Sequence, residues 1–225
     1  MIPLRDTVPP KNFPVVNWLI IIANLVVFMF EIRMPESRLE AFFYQYGLVP
    51  SRIMPALVDP GNLRLGVLTT FVSNIFIHGN FMHFIGNMWF LFIFGDNVED
   101  KMGKVNYLLF YLFAGLLAGI THFILNIHSE IPAIGASGAI SGVMAAYMFL
   151  FPRSRIITLI PVFVILPLLI SIRAFVFIGI WFVIQLFNGT RHLLFHGAAT
   201  GIAFWAHIGG FISGMLFFKL FVRKK

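Results

Sequence analysis

Apolar positions along this chain fall into long unbroken runs. They show neither the alternation of a half-buried strand nor the three-to-four spacing of a helix with one wet face. A helix that crosses a bilayer needs about 20 consecutive, mostly apolar residues. Runs of this kind predict spans over residues 15–32, 81–95, 107–127, 134–151, 173–187 and 203–221, the second and fifth being short. Residues 154–172, SRIITLIPVFVILPLLISI, are apolar enough to cross, but Pro161 and Pro167 interrupt any helix drawn through them. That stretch reads as an interfacial or re-entrant connection, with a seventh span as the alternative. The long first loop, 33–80, carries apolar or amphipathic runs such as AFFYQYGLV and LRLGVLTTFVSNIFI between Pro50, Pro55 and Pro60. Such segments suit the plane of the membrane interface. The expected fold is therefore all-α: a polytopic membrane bundle of six transmembrane helices. A short tail, 1–14, precedes a single membrane domain, 15–221, and a basic tail, 222–225, follows it. The run that starts at Val15 is too long for a signal-peptide core and lacks a small-residue cleavage pattern, so it reads as the first span.

Composition agrees with that picture. Of 225 residues 59% are hydrophobic and only 11% charged, with 28 phenylalanines. A soluble domain carries about 25% charged residues, so there is too little charge here to cover a wet surface. The absence of cysteine removes disulfides, thiol catalysis and Cys-ligated metals. The net charge of +7 does not point to nucleic acid, because the basic residues sit between apolar runs and form no patch. Their distribution is topological. Eleven (Arg5, Lys11, Lys101, Lys104, Arg153, Arg155, Arg173, Lys219, Arg223, Lys224, Lys225) fall on the side of the termini, and five (Arg33, Arg38, Arg52, Arg64, Arg191) on the other. The positive-inside bias then puts both termini in the cytoplasm, most simply at the cell membrane. A seventh span would send the final Arg-Lys-Lys outside, against that bias.

Polar groups inside a bilayer are costly and by default suggest function. Four places stand out. Gly135-Ala136-Ser137-Gly138 opens the fourth span, and a serine at a helix start lies beside backbone N–H groups that lack helical partners. The same stretch also reads as a packing seam, since Gly138 and Gly142 are four apart. His207, in the sixth span, is followed by Gly210 and Gly214, a smooth face for another helix. If the two seams meet, His207 can take the proton of the Ser137 hydroxyl; the alternative is a histidine that merely hydrogen-bonds a neighbouring helix. His83 and Asn87, at i and i+4, share a helix face and supply uncharged donors suited to an oxyanion, or else an interhelical hydrogen bond. With His78, His83 and His207 form a conceivable metal set, but no carboxylate or Cys accompanies them, and no metal or other cofactor is expected. The group Asp96, Glu99, Asp100 and Lys101 reads as a solvated inner turn leading into the third span.

Taken together these residues resemble the rhomboid family of intramembrane serine proteases. The shared pattern is His83-x-x-x-Asn87 in the second span, Gly135-x-Ser137 in the fourth and Ala206-His207 with Gly210 and Gly214 in the sixth. Stretches such as FGDNVEDKMG and WAHIGGF also look like bacterial, six-span members. The resemblance implies a serine endopeptidase with a Ser137–His207 dyad and no Asp. It implies an oxyanion hole made by the Ser137 N–H with His83 and Asn87, and a lipid-embedded substrate, a single transmembrane segment of another protein cut near its outer end. It also implies a gate at the fifth helix and the 188–202 loop, with Trp181 either a gate residue or plain core. Three departures accompany it. The Trp-Arg pair common in the first loop is missing, Arg64 being the nearest residue. Ser141 stands where some members stack a Tyr on the histidine, and Gly86 stands where some have a bulky aromatic. The alternatives are a non-proteolytic rhomboid-like protein that binds membrane clients, which typically lacks the serine or histidine kept here, and a small transporter, which would want acidic groups at the midplane. The residues name no substrate and no oligomeric state.

Overall fold

In the computed structural model, described here over residues 1–58, 65–163, 166–195 and 203–223, nine helices and three strands alternate along the chain. Strand β1 (Ile2–Asp6) leads into α1 (Val15–Glu31). The first loop holds α2 (Glu36–Tyr46), α3 (Pro50–Val58), α4 (Leu65–Ser73) and a 3-10 turn (Asn74–Phe76). Then come α5 (Phe81–Met102), α6 (Lys104–Leu125) and α7 (Ser137–Leu150), a hairpin of β2 (Arg155–Phe163) and β3 (Leu166–Arg173), and finally α8 (Ala174–Phe195) and α9 (Phe204–Phe221). Arg64, residues 196–202 of the expected gate loop, and Lys224 and Lys225 lie outside the described residues. Helix α6, residues Ala174–Arg191 of α8 and helix α9 are each long and apolar enough to cross a membrane, with α1, Gly66–Phe76 and α7 as shorter apolar helices.

The core lies around α7, which packs on α5, α6 and α9. Small residues make that possible. A Cβ added to Gly138 would stand 2.6 Å from the Ala118 Cβ, and one on Gly142 would stand 2.5 Å from the Ala114 Cβ. Across the α7–α9 seam a Cβ on Gly210 would collide with the Gly138 carbonyl, and one on Gly214 with the Gly142 carbonyl. Backbone rests directly on backbone there, as small-residue spacing allows in a membrane where lipid gives helices no hydrophobic push together.

Four sequence expectations change. Helix α5 runs on to Met102, so Asp96–Lys101 is not a solvated turn opening the next span. Asn97 and Glu99 are buried, and Glu99 accepts the Val16 and Asn17 N–H groups at 3.1 and 2.8 Å. The first turn of α1 has orphan donors and no cap of its own, because Pro14 precedes it; a carboxylate from α5 satisfies them. Helix α7 begins at Ser137, not at 134, because Gly135 has φ +124° and its N–H goes to the Asn74 carbonyl. Helix α8 extends eight residues past Phe187. The 154–172 connection is an antiparallel β-hairpin, paired from Arg155↔Arg173 to Phe163↔Leu166, and β1 adds to it in the order β1-β2-β3. Proline is tolerated because Pro161 and Pro167 pair near the tip, past the last β1 pair (Ile2↔Leu159) and beside a register shift.

Candidate active site

The N-terminal end of α7 lies one helical turn into the α7–α9 seam. Gly138 meets α9 at Gly210, and Ser137, the residue before Gly138, faces His207, one turn before Gly210. His207 Nε2 stands 2.7 Å from Ser137 Oγ. Its other ring nitrogen, Nδ1, is 2.9 Å from Oε1 of Gln185, a buried residue of α8. An amide oxygen can only accept, so Nδ1 carries the proton and Nε2 presents its lone pair to the hydroxyl. This is the tautomer a general base needs. In the sequence Gln185 is only a lone amide within the apolar run IWFVIQLF, one turn after Trp181.

Ser141 fills no stacking role. It is fully buried and its Oγ donates to the Ser137 carbonyl at 2.6 Å. The histidine is instead flanked by Trp181, with ring centroids 5.9 Å apart and planes inclined at 35°, and by Phe204 edge-on at 6.4 Å.

His83 and Asn87 come to the same place from α5. A Cβ on Gly135 would lie 2.6 Å from His83 Nε2 and 3.6 Å from Asn87 Nδ2. The positive φ and the close imidazole thus both require glycine two residues before the serine. Asn87 Nδ2 is buried and, among the described residues, donates to nothing. Buried donors without partners are rare and call for an explanation. Its residue stands in the wall of a cavity of about 620 Å³ that His83, Ser137, Trp181 and His207 also line. Gly86 lines it too, with no atom within 4 Å of where its Cβ would be, so α5 is thin at that wall.

Behind His83 lies a second histidine. His78 packs edge-on against it, centroids 5.2 Å apart, and donates its backbone N–H to both carboxylate oxygens of buried Glu31 at 3.3 and 3.2 Å. Burial, with His83 close by, drives the His78 imidazole down to about 3, so it stays neutral. Glu31 fixes the loop that starts α5, and with it the direction of His83; in the sequence Glu31 is only a charge at the edge of the first span.

The molecule is an integral membrane helix bundle with a Ser–His pair on a cavity between its helices. The rhomboid domain family matches residues 65–224, so the chain belongs to the rhomboid family. It is 37% identical over 75 residues to rhomboid-like protein 11, chloroplastic, of Arabidopsis thaliana, a match covering 33% of this chain and 26% of that protein. It is 30% identical over 79 residues to YdcA, a candidate rhomboid protease of Bacillus subtilis (35% and 39%). It is 31% identical over 91 residues to the mouse presenilin-associated rhomboid-like protein, mitochondrial (39% and 24%). The matches therefore span about a quarter to two fifths of the length of these relatives.

Proposed function

We propose that this protein is an intramembrane serine endopeptidase that cuts transmembrane segments of other membrane proteins near their extracytoplasmic end. The observation that carries this reading is the 2.7 Å contact between Ser137 Oγ and a histidine nitrogen whose lone pair is directed at it by Gln185. Ser137 Oγ attacks the scissile carbonyl carbon as His207 Nε2 takes the hydroxyl proton. The carbonyl oxygen becomes an oxyanion, held by the Ser137 N–H at the start of α7, by Asn87 Nδ2 and by His83. Collapse breaks the C–N bond, and His207 passes its proton to the leaving amine. Water, activated by the same nitrogen, then hydrolyses the Ser137 ester.

A membrane helix shields its peptide bonds with its own hydrogen bonds, so the bond to be cut must first leave helical geometry. Segments with small or helix-weakening residues at the cut are the favoured class. Trp181 and the thin wall at Gly86 flank the approach to Ser137 from α8 and α5, which makes the space between those helices the entry route. The charge asymmetry supports cytoplasmic termini and hence cutting on the opposite side.

The test is cleavage of a single-span substrate by reconstituted protein, with a fluorophosphonate probe in parallel. Cleavage and labelling are both expected, both lost in Ser137→Ala, with cleavage lost in His207→Ala. Cleavage that survives in purified Ser137→Ala would remove the proposed nucleophile. A folded parent that neither cuts nor takes the label would leave a client-binding role.

A further inference from the structure

The β-sheet has no part in the proposed chemistry, and its register makes an uneven surface. Arg155 pairs with Arg173, Ile157 with Ser171 and Leu159 with Leu169; on the other edge Arg5 pairs with Ile157 and Ile2 with Leu159. Alternate strand residues share a face. One face therefore holds Arg5, Arg155, Arg173, Ile2, Leu159 and Leu169. The opposite face, with Pro3, Ile156 and Thr158, is buried against the bundle.

The arginine face is open. All three arginines are exposed, as are Leu169 (60%) and Ile2 (48%). Arg155 and Arg173 stand directly across the ladder, a like-charge pair that weakens a sheet. Among the described residues no carboxylate forms an ion pair with either arginine, Asp96 sharing a pocket, of the three arginines, with Arg5 only. Asp6 points to the other face and accepts from Tyr147 and Asn97, while Asp100 is taken by the Lys11 and Asn12 backbone. Among the described residues none of the three guanidinium groups has a partner.

The sheet also has a direction. Asp6 meets Asn97 of α5, whereas the Pro3 carbonyl accepts from Trp89 Nε1 at 2.6 Å. Eight helical residues separate these contacts, about 12 Å along α5. The strands thus climb from the polar end of α5, where the arginines lie, to the level of its apolar residues Trp89–Phe92, where Ile2, Leu159 and Leu169 lie. A row of cations at headgroup depth, with an apolar surface leading into the membrane, matches the two ends of one molecule.

We propose that this face is a binding site for an anionic phospholipid of the leaflet opposite the Ser137 end. Its phosphate sits between Arg155 and Arg173 with Arg5 beside it, and its acyl chain lies along Leu159 and Leu169. Guanidinium groups suit phosphate because their paired N–H donors match its oxygens. The lipid removes the repulsion between the paired arginines and so ties the hairpin to β1.

The test uses the whole purified protein in neutral detergent, titrated with phosphatidylglycerol, phosphatidylcholine or inorganic phosphate, read by native mass spectrometry and by melting temperature. Phosphatidylglycerol is expected to stay bound and to raise the melting temperature by several degrees, and phosphatidylcholine to do neither. Arg155→Gln/Arg173→Gln should bind phosphatidylglycerol at least fivefold more weakly, yet melt no lower than the parent without lipid, since the repulsion is gone. Arg155→Lys/Arg173→Lys should keep most of the binding. Arg33→Gln/Arg38→Gln, which removes the same charge at the other end, should bind as the parent does. Equal binding by parent and Arg155→Gln/Arg173→Gln overturns the site, as does equal loss in Arg33→Gln/Arg38→Gln. Displacement of the lipid by millimolar inorganic phosphate, with the same thermal shift, would make it a free-anion site and no lipid site. None of these readouts depends on proteolysis.

Discussion

Asn87 is the residue whose energetics separate catalysis from stability most cleanly. A buried amide N–H without a partner costs free energy in the resting protein, and an oxyanion would recover it only during the reaction. Asn87→Ala is expected to lower kcat by about 10²–10³-fold, the effect of losing one oxyanion donor, with the melting temperature unchanged or raised. A fall in melting temperature that tracks the loss of activity would instead make Asn87 a structural contact. Gln185 makes a different demand. If its Oε1 fixes the His207 tautomer, Gln185→Leu should lower kcat roughly 10- to 100-fold, short of the effect of losing the base itself. KM should change little, and Gln185→Glu, which keeps an acceptor at Nδ1, should restore most of the rate. Parallel losses in Leu and Glu variants would mean that the side chain serves only to fill space. Ser137, His207, His83 and Asn87 were legible in the sequence because each is a polar group in an apolar run with a recognisable spacing. Gln185 satisfied the first condition only. What gives it a role is proximity to His207, 22 positions away, and that proximity depends on how α8 leans on α9.

At the scale of elements, the α7–α9 seam predicts a gradient. Gly210 and Gly214 both lie against carbonyls of α7, so an added methyl at either must move the helices apart, a cost of about 1–3 kcal/mol. Gly210 is one turn from His207 and Gly214 two. Gly210→Ala should therefore abolish fluorophosphonate labelling, whereas Gly214→Ala should lose comparable stability and keep more of the label. Gly86→Ala, whose methyl meets open space, should lie within about 0.5 kcal/mol of the parent. Equal labelling in Gly210→Ala and the parent would show that the seam does not set the Ser–His distance. The same elements differ in how far local sequence encodes them. The seam could be seen from its four-residue spacings. The length of α5 could not, because Asp96–Asp100 look solvated until the first turn of α1 and the N-terminal tail, 82 and 88 positions earlier, supply backbone donors to cover Glu99 and Asp100 respectively. The hairpin was hidden for a related reason. Both faces of β2 are largely apolar, so the two-residue alternation that identifies a strand is absent. Its first partner, β1, lies in a proline-flanked tail that shows no strand pattern of its own.

At the scale of the whole molecule, the hairpin decides the topology. The N-terminal tail reaches Asp100, and the Arg223 N–H reaches the Lys101 carbonyl at 3.3 Å, so both ends of the chain meet the end of α5 farthest from Ser137. A hairpin leaves α7 and returns to α8 at that same end. A seventh span would have carried the chain across between them. Arg153, just before the hairpin, and Arg173, its last residue, must then face one side of the membrane, whereas a crossing would put them on opposite sides. The absence of cysteine makes this directly measurable, since any single introduced thiol is the only one. Arg153→Cys and Arg173→Cys should both resist a membrane-impermeant maleimide in intact cells and both react in inverted vesicles. Glu130→Cys, in the loop before Ser137, should show the reverse pattern. Opposite accessibility of positions 153 and 173 would restore the seventh span and leave the sheet, and the lipid site on it, without a place. Shared accessibility from outside would keep the fold but invert the protein, turning the Ser137 cavity toward the cytoplasm, against the charge distribution that favours eleven basic residues over five on the side of the termini.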